Sequence, residues 1–163
     1  MGLIIKDKIQ MFMKGYPTVS DKYNVAGATL DQSSDPVEFG DMVTYGTTKG
    51  FFKKATAVTA ASELAGFVVA TNVKLTTEWP GNKVQTLPGE AFNLLVNGFI
   101  AIELDASAVE ANVQPNKQVY ITAAGKCTTE AGTDPANIAV PNTVFTGMVE
   151  AHGDVLFAEI YVK

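Results

Sequence analysis

The chain has 163 residues, 47% of them hydrophobic and 18% charged, with a net charge of −5 at neutral pH. That composition excludes a wholly disordered chain, and at this length about two thirds of the unfolded surface can be buried in one core. All twelve basic residues are lysine, so the guanidinium fork that reads phosphate and guanine bidentately is missing, and the acidic balance repels nucleic acid at long range.

Cys127 is the single cysteine, which excludes an intrachain disulfide and a zinc site built on several thiolates. The apolar run in Met1-Gly2-Leu3-Ile4-Ile5-Lys6 is too short for a signal peptide. No stretch approaches the roughly 18 apolar residues of a membrane-spanning helix. The expectation is a protein made in the cytoplasm that binds neither nucleic acid nor membrane.

Residues 1–24 differ from the rest. Ile5, Ile9, Phe12 and Met13 fall at helical spacing, and Gly15 with Pro17 would end a helix there. A short helix and an extended arm fit this brief segment equally well. Residues 25–163 read as one β-domain of short strands cut by turn residues, either a barrel or a sandwich. Val25–Leu30 is the first candidate strand. Val37–Tyr45 and Phe51–Ala57 form a hairpin around Gly46–Gly50, and Leu64–Ala70 is a nearly continuous apolar strand. Thr59–Leu64 fits a single helical turn. Asn97-Gly98 reads either as a two-residue hairpin turn or as a glycine bulge inside one bent strand. Val144–Ala151 and Val155–Val162 pair across His152-Gly153, and both faces of the last strand are apolar enough to place it centrally. Two segments, Lys74–Gly89 and Thr128–Asn142, are longer than ordinary connectors and are candidates for outside contacts.

One layout occurs twice. Val37, Gly40 and Val43 recur as Val113, Asn116 and Val119, each set followed by an alternating run that ends at Tyr45 or Ile121. Each copy then meets a second turn, Gly46–Gly50 or Ala123-Ala124-Gly125-Lys126. Repeated hairpins of this kind build a compact β-body.

Little in the sequence is equipped for chemistry. His152, beside Glu150 and Asp154, is explained by a hairpin turn, and no oriented nucleophile accompanies it. Cys127 reads as a small buried apolar residue. Gly125-Lys126 lacks both the earlier glycine and the following Ser or Thr of a phosphate loop. Asp31, Asp35, Asp41, Glu103 and Asp105 lack the ordered spacing of a calcium loop and read as solvated turn and strand-edge charge. No catalytic residue, metal ligand or cofactor is assigned. Trp79, in Trp79-Pro80-Gly81, is the aromatic outlier and either lids its own barrel end or anchors a partner.

The order of Phe39-Gly40-Asp41-Met42-Val43, Leu64-Ala65-Gly66-Phe67-Val68-Val69, Val96-Asn97-Gly98-Phe99-Ile100-Ala101-Ile102, Asn116-Lys117-Gln118-Val119-Tyr120-Ile121 and a closing hairpin resembles the bacteriophage structural cement, or capsid decoration, proteins. The resemblance implies an all-β fold, a small β-barrel or β-tulip of short antiparallel strands. It implies a non-enzymatic protein on the outer surface of the virion, bound to the major capsid protein as a homotrimer. Asn116 departs from it, standing where glycine is commoner, and Lys74–Gly89 and the first fifteen residues have no counterpart. Ile9, Phe12, Met13, Tyr16 and Trp79 are the expected partner contacts. The alternative is a β-barrel recognition module for a glycan or cell surface, for which Trp79 and the long loops are the motive.

Overall fold

The computed structural model describes residues 14–18, 23–70, 85–133 and 136–163. Among the described residues, eleven strands carry the fold: β1 (Tyr23–Leu30), β2 (Val37–Glu38), β3 (Met42–Tyr45), β4 (Phe51–Lys54), β5 (Leu64–Val69), β6 (Gln85–Thr86), β7 (Ala91–Glu103), β8 (Gln118–Ile121), β9 (Cys127–Thr128), β10 (Ile138–His152) and β11 (Val155–Val162). Single turns of 3-10 helix at Ala61–Glu63 and Glu110–Asn112 are the helical pieces among the described residues. The first falls where a helical turn was expected, with the Glu63 carboxylate accepting from the Thr59 N–H and hydroxyl.

Nine strands form one sheet in the order β1-β4-β3-β5-β7-β11-β10-β8-β9, and a further pairing of β1 with β7 closes the first five into a ring. Pairing is antiparallel throughout this sheet except between β1 and β4, which run parallel through Thr29–Phe51 and Leu30–Phe52. The second half nearly closes as well: a parallel bridge between Leu104 and Cys127 brings β9 back to the end of β7. The molecule is thus two lobes sharing β7, whose 13 residues pair with β1 and β5 in its first half and with β11 in its second.

Asn97-Gly98 lies inside β7, so the bent-strand reading holds and the hairpin reading does not. The β1 register shifts between Asn24–Asn97 and Val25–Leu95, leaving Val96 as the extra residue of a bulge. A bulge adds twist, and it falls where β7 passes from one lobe to the other. The segment Thr128–Asn142 is shorter as a loop than its composition suggests, because β10 begins at Ile138 and Pro141 is accommodated inside that strand. There the ladder with β8 jumps from Ala139 to Val144, which spares the missing proline N–H.

The two copies of the repeated unit sit one in each lobe. Val37 and Val43 belong to a small core with Leu30, Val68, Phe92 and Leu94, while Val113 and Val119 belong to a larger one with Phe67, Ile100, Ile121, Phe145 and Ile160. Gly40 has φ +80° and Asn116 φ +65°, so both copies turn through a left-handed residue. Asparagine can substitute for glycine in the second because it tolerates that region better than other side chains. The shared wall explains the continuous apolar runs: Val43, Val68 and Leu94 face the small core while Met42, Phe67, Val69 and Leu95 face the large one.

Candidate partner-binding surface

The described chain starts with a clamp. Gly15 donates its N–H to the Ala101 carbonyl at 2.7 Å and accepts from Ala70 N–H at 2.8 Å, while the Tyr16 carbonyl accepts from Ala101 N–H at 3.1 Å. Residues 15–18 therefore extend the sheet along the second half of β7, with Pro17 bridged to Ile100. Gly15 also packs directly on Phe39 and Gly40, so closely that a side chain at 15 has no room.

Beside this contact Lys14 Nζ donates to Asp41 Oδ1 at 2.8 Å and to Glu38 Oε2 at 3.2 Å. Asp41 Oδ2 accepts from Glu38 N–H at 3.0 Å and lies 3.6 Å from Lys54 Nζ. Burial alone would raise the Asp41 pKa, but the Lys14 charge and hydrogen bond, with Lys54 beyond, outweigh it and hold the carboxyl below its ordinary value. Burial would likewise lower the Lys14 pKa, and the attraction of Asp41 and Glu38 reverses that to a net rise. Asp41, expected as solvated turn charge, is instead 9% exposed and the centre of a buried ion-pair cluster. No local pattern announces it, since Lys14 and Asp41 are 27 residues apart in the chain.

Of the expected partner contacts, Tyr16 is half-buried and meets Phe39 edge-on, with centroids 6.2 Å apart. Ile9, Phe12, Met13 and Trp79 lie outside the described residues. Cys127 is buried, and burial pushes its thiol up to about 12, leaving it protonated at neutral pH. His152, expected in an exposed turn, is the last residue of β10 and half-buried. It packs on Phe157 with centroids 4.8 Å apart and has Nε2 3.1 Å from Glu150 Oε1.

Among the concavities formed by the described residues, two stand out. An open cleft of about 320 Å³ between the lobes is lined by Tyr45, Gly66, Val96, Pro141, Asn142 and Lys163, among others, with Tyr45 and Val96 standing more than half or half exposed at 61% and 50%. A more polar recess is lined by Asn112, Gln114, Lys117, Gln118, Tyr120 and Thr129. The first is lined mainly by apolar side chains and the second by polar ones. Sequence reasoning missed both: the first is assembled from strands distant in the chain, and the second from the turns and short strands of residues 112–131, whose folding back on one another no local pattern announces.

The described residues thus form an all-β body with a clamp at Lys14–Thr18 and exposed apolar side chains at Tyr45 and Val96. The family model described as structural cement protein (E217 gp24/Pam3 gp6) matches residues 8–159, and the chain belongs to that family. It is a phage capsid cement protein, associated with capsid subunits in the virion. Among solved structures, a chain from "The capsid of Myoviridae Phage XM1" superposes with a TM-score of 0.67 at 16% identity, covering 97% of this chain and 95% of that one. At that identity the likeness is one of fold. Comparison with curated protein sequences gives no match.

Proposed function

We propose that the protein decorates the outer surface of the assembled head, where three copies gather over a junction between major capsid subunits and tie them together without catalysis. A ligand that contacts several subunits at once prefers the assembled lattice and stabilises it by mass action, with avidity replacing tight individual contacts. The observation that carries this reading is the Lys14–Thr18 clamp. It fixes the position of Lys14 and Gly15 on the body, and Ile9, Phe12 and Met13 immediately precede them in the chain. A leading segment tethered rigidly at one end reaches a neighbouring subunit at a smaller entropic cost than a free tail. In this reading Ile9, Phe12, Met13 and Tyr16, together with Trp79, supply the apolar contacts to the major capsid protein.

Co-sedimentation with immature and expanded heads lacking the protein tests it. Saturable binding to expanded heads, at a fixed number of copies per capsid subunit, is the expected result, with markedly weaker binding by a chain lacking residues 1–13 that remains folded. Undiminished binding by the shortened chain would remove the leading segment from the contact.

A further inference from the structure

Among the described residues, the first lobe has a strand edge that no neighbouring strand covers. Thr29 N–H donates to the Gly50 carbonyl and Asp31 N–H to the Phe52 carbonyl, so these odd-numbered residues face β4, whereas Leu30 N–H turns the other way, to Glu90. Following that alternation back along β1 puts the N–H and C=O groups of Gly27, Val25 and Tyr23 on the side away from β7. β4 accompanies β1 only at Thr29 and Leu30, and no described segment continues along the edge before it. Residues 23–27 are all exposed, Tyr23 at 37% and Val25 at 39%. Edge strands are normally guarded by lysine, proline or an inward charge. The run Tyr23-Asn24-Val25-Ala26-Gly27-Ala28 contains no charge and no proline.

Gly27 is the second observation. Its φ is not in the left-handed range, and a Cβ placed on it meets nothing within 4 Å. The described residues thus leave open space beside Gly27, although glycine weakens a strand. In a strand interior, glycine often marks a bulge, a tight bend or the close approach of another backbone, and the open space beside Gly27 suits the last.

We propose that this edge pairs with the same edge of a second copy, antiparallel and centred on Val25. The register follows from the outward residues: Val25 faces Val25 across the twofold, and Tyr23 of each copy faces Gly27 of the other. An aromatic ring then covers a glycine across the strand pair, a combination that stabilises exposed edge glycines. The three outward residues supply up to about six main-chain hydrogen bonds per pair, two at each facing position. The edge is isologous, as a twofold contact must be. For a chain of net charge −5, an uncharged stretch is also where two copies meet with least repulsion. The contact is separate from any threefold gathering of copies. On a lattice it joins one such group to the next, because neighbouring threefold positions are related by twofolds.

Site-specific oxidation of the full-length protein at high concentration tests both the contact and its register. At Val25 the facing Cα atoms lie about 5.5 Å apart, within disulfide reach, while at Ala26 the two copies are offset by two residues and out of reach. Val25→Cys is expected to give a disulfide-linked pair at least tenfold faster than Ala26→Cys. The native Cys127 is buried and does not compete. Val25→Pro removes an outward N–H without touching the ladder to β7, and is expected to abolish concentration-dependent self-association in sedimentation velocity while the far-ultraviolet spectrum stays unchanged. Equal crosslinking at both positions, crosslinking at neither, or self-association unaltered by Val25→Pro would overturn the proposal.

Discussion

Replacing Asp41 with alanine deletes the centre of the clamp that holds the leading segment to the body. The carboxylate accepts from Lys14 Nζ at 2.8 Å and from Glu38 N–H at 3.0 Å, and only 9% of it is exposed. Removing one partner of a buried ion pair typically costs about 3–5 kcal/mol because the other charge is left desolvated. Here Lys14 keeps Glu38 at 3.2 Å and is itself 17% exposed, so we expect a loss of about 2–3 kcal/mol, a fall in Tm of roughly 4–12 °C for a chain of this size. The pH dependence has a definite sign. Asp41 has a folded pKa below the ordinary 3.8, so its contribution is present above that value and is lost as pH falls through the lowered one. Lys14 has a folded pKa above the ordinary 10.5, so its contribution is complete below that value and is lost as pH rises through the raised one. Thermal unfolding of wild type and Asp41→Ala across pH should therefore show a constant gap through the neutral range that closes at acid pH. A gap under about 1 °C at pH 7, or one that widens on acidification, would refute the reasoning.

The remaining predictions address the clamp, the repeated turn and the buried thiol. Deleting residues 1–13 leaves Lys14 and Gly15 in place and should leave Tm nearly unchanged. Deleting 1–16 removes them together with the hydrogen bonds to Ala70 and Ala101, and calorimetry should show a drop at least as large as for Asp41→Ala. Exchanging the turn residues of the two repeats should be asymmetric. Asn116→Gly relieves a left-handed side chain and should change stability by less than about 1 kcal/mol, whereas Gly40→Asn places a Cβ 2.8 Å from Lys14 Cγ and 2.9 Å from Gly15 N and should cost about 2 kcal/mol or more in denaturant titrations. Cys127 should resist a thiol reagent at pH 8 on the hour scale and react promptly in denaturant, since its thiol is buried and pushed up to about 12. Fast labelling of the native protein would contradict its placement.

Local pattern is enough to reveal most of the strands. The alternation in Val155–Val162, apolar on both faces, marks a central strand, and β11 is paired with β10 on one side and β7 on the other. The recurrence of Val37, Gly40 and Val43 as Val113, Asn116 and Val119 shows two equivalent turn-and-strand units, because a left-handed residue and two inward valines are demands that a few consecutive residues make on their own. The order of these units carried the resemblance to phage cement proteins, and the family match over residues 8–159 agrees with it.

Tertiary structure decided what local demand leaves open. Asn97-Gly98 suits a hairpin and a bulge equally, since both ask only for permissive backbone, and it is the pairing of β1 and β11 along β7 that makes the strand continuous. The same applies to charge. Nothing near Asp41 in sequence distinguishes it from a solvated turn carboxylate, and its role depends on Lys14 arriving from 27 residues away. The open edge at Tyr23–Gly27 was equally illegible, because any strand reads alike until the fold shows which neighbours stop short of it. Sequence by itself determined the all-β class, the repeated unit and the family, all properties of short-range periodicity and order. Which strands share a wall, which charges are buried and where neighbouring strands stop short of one another are long-range outcomes of chain closure, and only the folded molecule contains them.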